Sequence, residues 1–146
     1  MLPAEGPGRD ADAAVAVLYD SHYLPLTRLA ALLEADQAIA EEIVRDAFVA
    51  MHGAWRQLRD SDRALRYLQE TVVRRSRCRQ APAPPGPGLV AALRSLPAPQ
   101  REALVLRYYA DMPQARIALV MGISSRAVSS HIARGMTALQ AILGPD

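Results

Sequence analysis

Ser125, Arg126, Ser129, Ser130 and Arg134 fall within one short stretch, "MGISSRAVSSHIARG" at 121–135, and have the types and spacing of groups that contact a nucleic acid. An arginine donates twice to a guanine edge, and a serine hydroxyl is a permissive reader of several bases. Ser125, Arg126 and Ser129 occupy the first turns of the helix this pattern predicts, where base edges are met. Arg134 lies further back, at phosphate reach. The competing reading is a solvated helix face with two arginines, because helical hairpins with a glycine turn also occur in bundles that never touch nucleic acid.

A second set lies in residues 62–79. At ~100° per residue, Arg63, Arg66, Arg74 and Arg77 share one side, interrupted by Glu70, while Ala64, Leu65, Leu68 and Val72 share the other. Such a ridge is either the solvent cover of an amphipathic helix or a phosphate-binding surface. The cluster "RRSRCR" at 74–79 favours the latter, since that charge density repels itself unless countered. Trp55 and Tyr67 could stack on an unpaired base. Trp55 continues an apolar stripe and is assigned to the core, which leaves Tyr67 as the stacking candidate.

Enzyme chemistry finds no support. His22, His52 and His131 lack metal-ligand spacing, and neither a glycine-rich phosphate loop nor a paired-carboxylate motif is present. Cys78 lies among arginines that could lower its pKa, but a thiol enzyme on that ground alone is set aside. As the single cysteine it cannot form an internal disulfide, which fits a reducing cytoplasm. No metal or cofactor is expected. The start, "MLPAEGPGRD", has no positive segment followed by an apolar one, and no apolar run approaches the ~20 residues of a membrane helix. A cytoplasmic protein without membrane insertion is expected.

The net charge of +2 hides a division: residues 1–54 carry −6, residues 55–80 carry +5 and residues 89–146 carry +3. An acidic front and a basic middle imply two partners of opposite surface sign.

The elements that must hold these residues are helical. With 51% hydrophobic residues the chain can bury a real core, and no alternating run suggests a strand. "QAPAPPGPG" at 80–88 has four prolines and two glycines and reads as a linker. It divides the chain into a unit at 11–79 and a unit at 89–144. Before it, helices are expected near 11–34 (with Pro25 marking a kink or restart), 37–59 and 62–79. Asp36 can cap the second helix, and Val44, Phe48, Met51, Trp55 and Leu58 make its buried stripe. After it, helices are expected near 88–96, 98–110, 113–120 and 125–143. Pro97 and Pro113 sit where helices can begin. In "MGIS", Gly122 can end one helix in the left-handed conformation, Ile123 can tuck into the core and Ser124 can cap the next helix. That is a helix-turn-helix, with Val128, Ile132, Met136 and Leu139 facing inward. The fold class is all-α: two small helical domains, the second a helix-turn-helix.

"LYDSHYLPLTRLAALL", "AEEIVRDAFVAMHGAW" and "RALRYLQETVV" resemble the first conserved domain of extracytoplasmic-function sigma factors of the actinobacterial type. "ALRSLPAPQREALVLRYYADM" and "GISSRAVSSHIARGMTAL" resemble their C-terminal promoter-binding domain. The resemblance implies an alternative sigma factor whose partners are core RNA polymerase, promoter DNA and an anti-sigma protein. It implies that Glu42, Arg45 and Asp46 dock on the polymerase clamp helices. Arg59, Arg63, Arg66, Tyr67, Arg74 and Arg77 would engage the minus-ten element, and Ser125, Arg126, Ser129, Ser130 and Arg134 the minus-thirty-five element.

Some positions depart from the family pattern. Arg45 stands where glutamine is frequent, Arg74 where asparagine is common, and Ser129 where a lysine usually touches DNA; Arg126 replaces a usual glycine. The linker is also short. Nine residues reach at most ~32 Å, whereas promoter elements about 17 base pairs apart are separated by about 58 Å. These departures define a rival expectation: a degenerate sigma-like interaction module that binds polymerase or a regulator without selecting promoters.

Overall fold

The computed structural model describes residues 7–34, 36–79 and 88–144. Apart from Gly88, the expected linker at 80–88 lies outside these residues. Among the described residues every regular element is helical: α1 (Pro7–Glu34), α2 (Gln37–Leu58), α3 (Ser61–Cys78), α4 (Leu89–Arg94), α5 (Ala98–Leu104), α6 (Gln114–Met121) and α7 (Ser125–Leu143). One π-helical turn, Val105–Tyr109, continues α5.

Helix α1 runs through Pro25 without a restart. The proline withholds the N–H that the Ser21 carbonyl would accept, but Ser21 and Pro25 are both exposed, where water can take its place. The Thr27 hydroxyl donates to the Tyr23 carbonyl at 2.8 Å within the same turn. As expected, the Asp36 side chain caps α2, accepting from the Ile39 amide at 3.1 Å. At its other end α2 closes on Arg59, whose φ of 48° is left-handed and whose N–H donates to the Trp55 carbonyl. Asp60 caps α3.

Helices α1, α2 and α3 pack mutually, and α7 crosses α4, α5 and α6. The stripe on α2 is buried through Val44, Phe48 and Met51, and Trp55 and Leu58 are half-buried at its end. On α3, Ala64, Leu68 and Val72 are buried and Leu65 is half-buried. Val128 is fully buried on α7, with Ile132, Met136 and Leu139 packed on the core. α7 approaches α5 closely at Gly135, where an added Cβ would lie 2.8 Å from Leu104 Cδ1. Beside this crossing an apolar groove of about 650 Å³ opens between α1, α4, α5 and α7, lined among others by Leu32, Leu93, Tyr108 and Leu139.

The two halves of the chain are in contact. The hydrophobic cluster continues from α1–α3 into α4–α7, with α1 against α4 and the π turn, and α3 against α6. Near this junction lie four buried charged residues, Glu34, Arg94, Arg101 and Glu102. No helix among the described residues is long and apolar enough to cross a membrane.

Candidate nucleic-acid interface

The turn between α6 and α7 follows from its sequence. Gly122 adopts φ 72°, a conformation costly for any residue with a Cβ. The N–H groups of Gly122 and Ile123 both donate to the Ala118 carbonyl, at 2.8 and 3.0 Å. The Ser124 hydroxyl then accepts from the Ala127 amide at 3.1 Å and starts α7. Ile123 packs against the core as expected. These local contacts fix the direction in which α7 leaves its partner.

The first turns of α7 present Ser125, Arg126 and Ser129 to solvent, with Ser130 half-buried and Arg134 exposed further along. Neither Arg126 nor Arg134 has an ion-pair partner among the described residues. Sequence reading missed one member of this site. Gln114, the first residue of α6, donates through Nε2 to the Ser125 carbonyl at 2.8 Å and to Ser129 Oγ at 2.7 Å. One neutral side chain thus braces the start of α7 and fixes the Ser129 rotamer. Its only signal in the sequence was a polar amide immediately after Pro113.

The ridge on α3 is less uniform. Arg63 and Arg74 are exposed. Arg66 Nε lies 3.1 Å from Glu70 Oε2, one turn on. Arg59 is exposed, with its backbone committed to ending α2. Tyr67 is half-buried and, like Trp55, packs against the core, so the structure does not separate the two rings in the way their sequence positions suggested. Arg77 is committed most fully. Its Nε and Nη2 donate to the two carboxylate oxygens of Glu102 at 2.8 and 2.7 Å, and this pairing raises the Arg77 pKa. Glu102 is only 3% exposed. Burial, with Arg94 nearby, lowers that of the adjacent Arg101.

The acidic face of α2 is also engaged. Glu42 pairs with Arg79, the residue that ends α3, at 2.5 Å and Asp46 with Arg75 of α3 at 3.8 Å, while Arg45 reaches Glu41 at 3.9 Å. The acidic front and basic middle of the sequence are therefore partly each other's partners. His52 contacts Asp12 at 2.7 Å. Among the described residues no group of three or more His, Cys, Asp or Glu could hold a metal ion.

Residues 88–139 match the family model described as Sigma-70, region 4. The matched span takes in α4, α5, α6 and most of α7, so the turn at Gly122, the brace from Gln114 and the exposed serines and arginines all lie inside it. Over that span the chain is similar to region 4 of the sigma-70 family. No curated protein matches the chain.

Proposed function

We propose that the chain is an alternative sigma factor of the extracytoplasmic-function group, which binds core RNA polymerase in the cytoplasm and directs it to a limited set of promoters. The observation that carries this reading is the start of α7: a capped helix in the region 4 span, braced by Gln114, with Arg126 and Arg134 unpaired and facing solvent. In this reading residues 89–144 form the promoter-binding domain. Arg126 reads a base edge, Ser125, Ser129 and Ser130 make shorter contacts, and Arg134 holds a phosphate. Residues 11–79 form the domain that meets polymerase through Glu42, Arg45 and Asp46. The same domain meets the minus-ten element through Arg59, Arg63, Arg66, Tyr67, Arg74 and Arg77. An anti-sigma protein is the natural regulator of such a molecule.

A second reading is favoured by the α2–α3 face. Because Glu42 and Asp46 are paired with arginines at the end of α3, Arg79 and Arg75, and Arg77 with Glu102, the N-terminal half offers fewer free charges than its sequence implies. A sigma-like interaction module without promoter selection would need no more. Run-off transcription with purified core polymerase and a promoter library separates the two. Initiation at specific sites is the outcome expected of a sigma factor; polymerase binding without initiation would leave the module.

A further inference from the structure

We infer that Arg77 and Glu102 latch the two halves of the protein into a closed resting state, and that this latch opens before both promoter elements are held. The second clause rests on the sigma-factor reading; the first stands on the geometry alone. Arg77 comes from α3 and Glu102 from α5, and their forked, two-bond pairing is the strongest arrangement these side chains can make. Arg77 Nη2 also reaches the Met121 carbonyl at 3.5 Å, at the end of α6. Glu102 is buried, and a buried carboxylate deprived of a paired cation is strongly disfavoured. Arg101 also lies within electrostatic reach of it, and Arg101 donates to the Leu96 carbonyl at 2.9 Å while Arg94, near Arg101, donates to the Leu33 carbonyl at 3.4 Å.

Weaker contacts close the same junction. Arg116 of α6 donates to Gln69 of α3 at 2.9 Å, and the Tyr109 hydroxyl donates to the Pro25 carbonyl at 3.3 Å. The latch consumes a residue the proposed function needs elsewhere. The fork that fits a carboxylate also fits a phosphate, so Arg77 cannot offer its Nε–Nη2 edge to Glu102 and to DNA at once. In the closed state α3 touches α6, whereas promoter elements about 17 base pairs apart lie about 58 Å from each other. The exposed start of α7 is untouched by closure. The closed protein can therefore meet an upstream element alone, and it must open to span both.

The test uses the full chain, free of polymerase and DNA, with nitroxide labels at Val49→Cys on α2 and Ala133→Cys on α7 in a Cys78→Ser background. All three positions are exposed. Pulsed dipolar spectroscopy is expected to give one short distance for the otherwise unaltered chain. Glu102→Gln is expected to add a longer distance and to raise the open fraction about tenfold or more, as loss of a charge-assisted bond implies. Arg116→Ala is expected to shift it less. Should Glu102→Gln reduce helical content by circular dichroism, Arg77→Gln carries the test, since its side chain is 42% exposed. An unchanged distance distribution in whichever variant stays folded overturns the latch. Core-polymerase binding and run-off transcription by the same variants are read separately: opened variants that never initiate transcription sink the sigma-factor reading and leave the latch standing.

Discussion

The start of α7 and the paired face of α2 and α3 both looked like polar binding surfaces, yet they are built in opposite ways. On α7 a neutral amide, Gln114, holds the helix start, and the two exposed arginines have no ion-pair partner among the described residues. On α2 and α3 cations and carboxylates face each other, in Asp46–Arg75, Glu42–Arg79 and, at the junction, Arg77–Glu102. Charge density along a sequence does not reveal which charges remain available. A surface braced by neutral hydrogen bonds keeps its ionic groups for a partner, whereas one braced by ion pairs must first lose them.

The largest test of this contrast compares two arginines on one helix. Arg77→Ala strands the Glu102 carboxylate and is expected to lower stability by about 2–3 kcal/mol in urea unfolding, below the full cost of a broken buried pair because Arg77 is partly exposed. Arg63→Ala, at an exposed position, is expected to stay within ~0.5 kcal/mol. Equal losses would erase the distinction between a committed arginine and a free one.

On α7, Arg126→Ala is expected to weaken binding to an upstream-element duplex by about 1–3 kcal/mol, roughly five- to 150-fold, with core-polymerase affinity unchanged. A parallel fall in both affinities would mean that this arginine supports the fold. Gln114→Ala removes two hydrogen bonds at the edge of the site and is expected to cost about 1 kcal/mol by thermal melting, with a broader choice of bases in a binding-site selection. The smallest effect is expected of Glu42→Gln with Asp46→Asn. These half-exposed pairs should contribute under ~1 kcal/mol to stability, so a clear loss of polymerase binding in a pull-down would show that the carboxylates serve the partner more than the fold.

What could be read without coordinates was local. The bounds of α7, its cap at Ser124 and the turn at Gly122 come from residues within a few positions of one another, and observation follows expectation there. The stripe Val44, Phe48 and Met51 was legible for the same reason. Helix α1 begins nearer the start of the chain than the position expected for it, and it passes Pro25 because that turn faces water. The π turn at Val105–Tyr109 carries no local signal that separates it from α-helix, since its residues suit either geometry. Arg77–Glu102 joins residues 25 positions apart and depends on how the halves meet, so Arg77 read as one more member of a DNA-facing ridge and Glu102 gave no signal. Gly135 gave no warning either: it sits within a regular helical pattern, and only the neighbouring helix shows why a larger residue would collide. Helices come from neighbours in sequence, and their mutual contacts from neighbours in space.

The amide of Gln114 has one consequence for discrimination. Because it fills an acceptor position on Ser129 Oγ, that hydroxyl has its own hydrogen left to offer. Laid in a major groove, Ser129 would then have one acceptor position fewer, which tilts it toward atoms with lone pairs, such as purine N7 or thymine O4. A residue too small and versatile to discriminate by itself is given a polarity by its neighbour.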